Sequence, residues 1–432
     1  MNKHKYLQIL LIQNVIYFIF LKIYFLSKFG SENTANLVVE KVRQQKKMAA
    51  SKIELQDPKN RISYLETAKI RPDLLLEGDN PRLIDEWQDA PELWNAIRYD
   101  VDNTGLKSQY ILTGSVTPKE TKEENIRHSG TGRIIRLIMR PMSLYESNES
   151  NGSVSLEELF NGNLNVSGIS DKEHEDIAFY SARGGWPSMI GLPRDEALVM
   201  ARDYYESLIN NEIKLPDGKV RNPRRVDLVL KSLSRNICTT VSIDTIKSDT
   251  SFNDRKISEK TIIDYLDALE KLYIIDNVEA WNEKIRSKTI LRTSPKRNFV
   301  DPSLAVSSLK ITDKDLLKDY NTFGFIFESL CIRDLKIYTE YLNGHVFYYR
   351  DKTDLECDAI IHLNDGKWAA IEIKIGSEEG IEEAANNLKT LVSKQDNNEL
   401  KHPSFLMVLT AGKVAYKRDD GVLVVPITCL KY

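Results

Sequence analysis

Four side chains near the carboxyl end have the types and spacing to bind a divalent cation and position a water. Over residues 368–375 apolar and charged positions alternate, setting Ile371, Ile373 and Ile375 on one face of a strand and Glu372 with Lys374 on the other. Asp358 stands fourteen positions before Glu372, at the start of another apolar run, and Glu328 lies on a helix whose other face is Phe323, Phe327, Leu330 and Leu335. Carboxylates are hard oxygen ligands for Mg2+, so Glu328, Asp358 and Glu372 form a candidate metal set. Lys374 would then orient or deprotonate the attacking water. The competing reading is a solvated charge pair, because Glu-x-Lys is common on exposed strands.

A second group lies nearer the amino end. Asp85 and Glu86 directly follow the apolar run Leu83-Ile84, where an ATPase needs one carboxylate to hold magnesium and another to orient water. The next apolar run, 110–112, exits through Thr113-Gly114-Ser115 and puts hydroxyls at the carboxyl edge of a sheet, the side on which α/β proteins bind ligands. Further on, Gly130, Gly132 and Arg133 offer a guanidinium that could reach a phosphate.

These residues need an α/β multidomain frame to position them. Short apolar runs at 74–76, 82–84 and 109–112, with helical periodicity over 90–101, predict a parallel sheet with helices, and residues 32–56 read as helix or loop. The polar stretch 148–155 reads as a surface connection. The YSARGGWP segment at 180–187 reads as a tight corner between helices. Helices are then expected over 221–236, 242–248 and 259–272, followed by strands at 273–281 and 288–300, which is the order of a winged helix. Its third helix mixes Lys260 and Lys271 with Asp264, Asp267 and Glu270, with Lys256 just ahead of it, so DNA and a protein partner are both open there. Arg286, Lys288, Arg292, Lys296 and Arg297 make the wing the better candidate for phosphate contacts. Beyond residue 323 the expected order is helix, strands at 345–349, 356–362 and 368–375, helix 378–394 and strand 404–409.

Taken together, PRLIDEWQDAPELWNAIR at 81–98, YILTGS at 110–115, HSGTGR at 128–133 and RPMSLYE at 140–146 resemble prokaryotic AAA-type ATPases that carry a C-terminal domain of unknown function. The resemblance runs from about residue 46 to 432. It implies ATP as a cofactor with Mg2+, Asp85 and Glu86 as the Walker B pair with Glu86 catalytic, Ser115 as sensor and Arg133 as arginine finger. Residues 323–432, with Glu328, Asp358, Glu372 and Lys374, resemble the restriction-endonuclease-like fold, which implies a magnesium-dependent nuclease acting on DNA. The expected division is a leader at 1–40, a partial AAA-type domain at 41–150, a helical region at 151–225, a winged-helix-like domain at 226–315 and a nuclease-like domain at 316–432.

One departure limits that likeness. A phosphate loop needs G-x-x-x-x-G-K-[ST], yet Gly-Lys occurs only at 218–219, 366–367 and 412–413, and neither Ser nor Thr follows any of them. The loop's place falls within about 27–39, where the chain reads FGSENTAN, and either divergence or a broken upstream reading frame accounts for it. ATP binding and turnover are therefore expected to be crippled, leaving a docking relic or a nuclease-like effector as the alternatives.

The bulk properties fit several ordinary domains. At about 150 residues per domain, 432 residues suggest three, and a net charge of -3 carries no global signal for nucleic acid. Cys238, Cys331, Cys357 and Cys429 form no C-x-x-C pair, which argues against a zinc site or disulfide framework and suits a reducing cytoplasm. Residues 6–26 are nearly all apolar and follow Lys3, His4 and Lys5, a length that fits a membrane anchor. Gln8, Gln13, Asn14 and Lys22 within it favour instead an aberrant start to a soluble protein.

Overall fold

A computed structural model describes residues 22–26, 51–106, 109–114, 134–211, 222–251, 257–281, 293–395 and 402–432. The chain divides after Arg140 into two compact units, the second beginning at Pro141.

In the first unit, β1 (Lys22–Leu26), β2 (Ser51–Glu54), β3 (Arg82–Asp85), β4 (Tyr110–Gly114) and β5 (Ile134–Ile138) form one sheet in the order β2-β3-β4-β1-β5. β2, β3 and β4 are parallel, and β1 runs antiparallel to β4 and β5. Helix α1 (Arg61–Ile70) and helix α2 (Glu92–Thr104) complete the unit. α2 forms where Leu93, Ile97 and Val101 recur every fourth residue beside Trp94, and this stripe is buried against Ile53, Ile84, Trp87 and Leu112. Gly105, at φ 64°, closes it in the left-handed conformation that glycine adopts without a Cβ clash. Two expectations change here. Residues 74–76 belong to a 3-10 turn opened by Pro72, whose fixed φ starts a helical turn. Ser51–Glu54, expected as helix or loop, is a strand whose Ile53 points into the core.

The second unit opens on β6 (Val154–Ser155), α3 (Leu156–Phe160), β7 (Gly168–Ile169), α4 (His174–Arg183) and α5 (Arg194–Asn211). The stretch 148–155 is not a surface connection: Ser150 Oγ donates to the Leu430 carbonyl at 2.6 Å, Asn151 N–H donates to the Thr428 carbonyl at 2.8 Å, and β6 pairs with β14 (Leu430–Lys431). Its backbone groups thus find partners on the chain's last strand rather than in water. Helices α6 (Pro223–Arg235), α7 (Ile243–Thr250) and α8 (Glu259–Lys271) follow. Each is capped by the side chain just before it, Asn222, Ser242 and Ser258. Val226, Val229, Leu230 and Leu233 are buried along α6 at the expected helical spacing. Among the described residues the expected strands at 273–281 and 288–300 reduce to single antiparallel bridges, Ile275 with Phe299 and Val278 with Lys296. Thr239 pairs with Arg297 beside them.

Next come α9 (Pro302–Leu309), α10 (Asp313–Leu316), the long α11 (Tyr320–Tyr341), β8 (Gly344–Arg350), β9 (Glu356–Leu363), β10 (Trp368–Lys374), α12 (Glu378–Gln395), β11 (Leu406–Thr410), β12 (Val414–Lys417) and β13 (Leu423–Pro426). Their sheet runs β7-β12-β13-β11-β10-β9-β8, with β10, β11 and β13 parallel. β10 is central and buried except at Lys374. One of its faces packs Trp368 and Ala370 against Ala384, Leu388 and Leu391 of α12. Among the described residues no helix is long and apolar enough to cross a membrane, and residues 6–21 lie outside them.

Candidate functional site

The second unit contains a cleft of about 750 Å³ that receives Glu328, Asp358, Glu372 and Lys374, the four residues expected from the sequence. Each arrives on a different support. α11, whose first turn is capped by Asp319, brings Glu328, and β9 brings Asp358. The antiparallel register Ala359–Ile371, carried one residue further, sets Asp358 beside Glu372 on β10, and Asp358 Oδ2 accepts the Ile373 N–H at 2.9 Å. Lys374, at the end of β10, stands 3.7 Å from Glu372.

Three further residues enter the cleft that the sequence reading did not place there. Glu356 precedes Asp358 by two on the same strand face, a period-two signal that could have found it. Asn387 on α12 donates to Glu372 Oε1 at 2.7 Å and to the Glu356 carbonyl at 2.6 Å, tying the helix to both acidic strands. The third is Lys296. Expected to touch phosphate, it is only 4% exposed, and its Nζ lies 3.0 Å from Glu328, 2.8 Å from Glu356 and 3.4 Å from Asp358. A single sequence carries no signal that joins position 296 to 328, 356 and 358.

Electrostatics follow from this burial. Glu328 is pushed up to about 8 by burial and by the neighbouring Asp358 carboxylate, with Lys296 pulling it back. Burial and Asp358 likewise push Glu372 well above the usual carboxylate range, against the pull of Lys374 and the Asn387 hydrogen bond. Burial works against charge on Lys374 and on Lys296, but the surrounding carboxylates outweigh it and hold both above the ordinary lysine value. Lys374 is thus an ammonium at neutral pH. It can orient a water or an anion, but it has no free pair with which to take a proton.

The cleft's oxygen donors are of the right chemistry for magnesium but do not close on one ion. Among the described residues no three His, Cys, Asp or Glu side chains stand close enough to share a metal. The expected set of Glu328, Asp358 and Glu372 therefore converges on one cleft without forming a ligand sphere, because the space among Glu328, Glu356 and Asp358 is taken by an ammonium.

In the first unit, Asp85 ends β3 and accepts a hydrogen bond from the Thr113 hydroxyl on β4, its partner in register. Glu86 leaves the strand at φ 56°, a left-handed conformation unusual for a non-glycine, and its carboxylate accepts from Gln88. Burial raises the Glu86 carboxyl, with Asp85 adding to the rise. Gly114 follows Thr113 where a Cβ would meet the Gln88 side chain at 2.1 Å. Ser115, Arg133 and the place expected for the phosphate loop lie outside the described residues, as do Lys256, Arg286, Lys288 and Arg292. No G-x-x-x-x-G-K-[ST] sequence occurs in the chain to accompany the acidic pair.

Three stretches of the chain match known family models. Residues 28–148 match the model of an AAA domain, residues 174–315 that of a domain of unknown function (DUF8612), and residues 323–430 that of another (DUF4143). No curated protein matches the chain. The protein is an α/β multidomain protein with an AAA-like N-terminal domain.

Proposed function

We propose that this chain acts in association with DNA, through a winged-helix-like segment at 226–315 and a restriction-endonuclease-like domain at 316–432, with an ATPase site crippled by loss of its phosphate loop. The observation that carries the reading is the meeting of Glu328, Asp358, Glu372 and Lys374 in one cleft, within the element order α11-β8-β9-β10-α12-β11. Three capped helices followed by antiparallel pairing of the segments around 275–278 and 296–299 support the winged-helix part.

Charge argues against cleavage by the protein as it stands. Six acidic side chains, of which burial keeps Glu328 and Glu372 largely protonated at neutral pH, stand against three cationic ones in the cleft, so it offers a phosphodiester little attraction unless further positive charge enters. The expected behaviour is DNA association without magnesium-dependent nicking. Anisotropy of a labelled duplex, measured across a salt series, tests the first half: binding that weakens steeply with salt supports it. An absence of binding at low salt sinks it and leaves protein docking through α8, which carries four acidic and two basic residues. Incubation of supercoiled plasmid with Mg2+, beside the E372A/K374A variant, tests the second half. Nicking by the wild type that the double variant lacks would establish the magnesium nuclease instead.

A further inference from the structure

We propose that Lys296 is the resident cation of this cleft, its ammonium standing where a divalent ion would otherwise join Glu328, Glu356 and Asp358. The proposal rests on the nuclease-like reading only for the identity of the cleft.

Geometry supports it from both sides. An ammonium has three N–H donors, and Lys296 Nζ finds three carboxylates between 2.8 and 3.4 Å. Magnesium holds its oxygens at about 2.1 Å and calcium at about 2.4 Å. The carboxylates are therefore placed at ammonium distances, and a small divalent ion in the same position would have to draw them inward. Nor is Lys296 a surface side chain that happens to reach inward. Its N–H donates to the Val278 carbonyl at 2.9 Å and its carbonyl accepts from Val278 N–H at 3.0 Å. The next residue is fixed as well: Arg297 N–H donates to the Thr239 carbonyl at 2.8 Å, and its own carbonyl accepts from Cys238 N–H at 2.8 Å. The Tyr348 ring stands 5.8 Å from the ammonium. Backbone pairing on two sides thus delivers the lysine to one place.

The cation also comes from another part of the chain than the acids. Lys296 lies in the stretch matching the 174–315 family model, whereas Glu328, Glu356 and Asp358 lie in the stretch matching 323–430. The two segments are therefore joined by an ion-pair cluster, and the second holds a cation among its acidic residues without any dissolved ion. A lysine is a fixed single charge that cannot activate a bound water as a divalent ion does, so the cleft so filled recognises or positions but has no Lewis acid.

Mn2+ titration of the full chain by electron paramagnetic resonance, with melting curves in the presence and absence of millimolar Mn2+, tests the assignment. Wild type is expected to take up no stoichiometric Mn2+ at the cleft and to melt at the same temperature with or without it. Lys296→Met leaves three carboxylates without their counter-charge; it is expected to melt lower, to regain stability with Mn2+ and to bind the ion at least about tenfold tighter than wild type. Adding Asp358→Asn to Lys296→Met should abolish both effects. Stoichiometric Mn2+ binding by wild type that Asp358→Asn removes would overturn the proposal, and this measurement stands even if Lys296→Met fails to fold. A folded Lys296→Met that gains no Mn2+ binding overturns it equally, because the ammonium would then not occupy an ion's place. Loss of DNA binding, by contrast, bears only on the proposed function.

Discussion

Glu328 and Glu372 are both carboxyls withdrawn from water beside Asp358, and that withdrawal has a measurable consequence. A carboxyl held near 8 in the folded protein, against about 4.5 when unfolded, binds a proton more tightly in the native state. Its contribution to stability is complete below about pH 4.5 and is lost as the pH rises through 8. Wild type is therefore expected to lose stability between about pH 4.5 and 8 from this source. Glu328→Gln cannot ionise and keeps a polar side chain in place, so its melting temperature should gain on that of wild type as the pH is raised through this range. Parallel pH profiles for the two proteins would count against the shift. Lys374 adds nothing to that slope, since Asp358 and Glu372 keep it charged through the same range.

At the scale of elements, the corner after α4 has a larger role than a turn. Gly184 sits at φ 79°, and Gly185 packs so that a Cβ would fall 2.1 Å from the Met142 carbonyl oxygen. Gly185 N–H donates to Asp301 Oδ2 at 2.9 Å, and its carbonyl accepts from Met142 N–H at 2.7 Å. Asp301 in turn pairs with Arg333 on α11, which also pairs with Asp334, and Asp334 accepts the Leu144 N–H at 2.9 Å. Backbone cannot move away as a flexible side chain can, so Gly185→Ala should destabilise the second unit by about 3 kcal/mol. Chemical denaturation would show this as a lower midpoint with an unchanged slope. A midpoint equal to that of wild type would mean that the corner relaxes freely. The pattern Arg-Gly-Gly-Trp was readable as a turn, but Asp301 and Arg333 as its partners were not, because they lie more than a hundred residues away.

For the molecule as a whole, the AAA-like domain has the acidic end of β3, while the sequence holds no G-x-x-x-x-G-K-[ST] motif. Backbone N–H groups and a lysine supply most of the attraction for a triphosphate, and a carboxylate pair alone repels it. Phosphate release from ATP is expected to stay at background, with Asp85→Asn indistinguishable from wild type. Turnover that Asp85→Asn abolishes would restore the ATPase reading. In the second unit, Pro141–Ile213 and Arg221–Tyr432 form one compact body, which includes the helices α3, α4 and α5 as well as the elements that line the cleft.

Local pattern alone was enough for much of this. Spacing of three and four placed α2, α6 and α8, alternation placed β9 and β10, and the acid-lysine pattern on those strands, with Glu328 ahead of them, named four residues that do share a cleft. These features depend on neighbours within a few positions, so one-dimensional order contains them. What filled the cleft did not depend on such neighbours. Lys296 reads as one more basic residue in a basic stretch, and whether its charge meets water, phosphate or three carboxylates is fixed by the pairing of its backbone with Val278 and by the packing of α11 and β9 around it. Charge is written in the chain, but the company a charge keeps is set only when distant segments fold together, because Coulomb attraction and desolvation act across space and not along sequence.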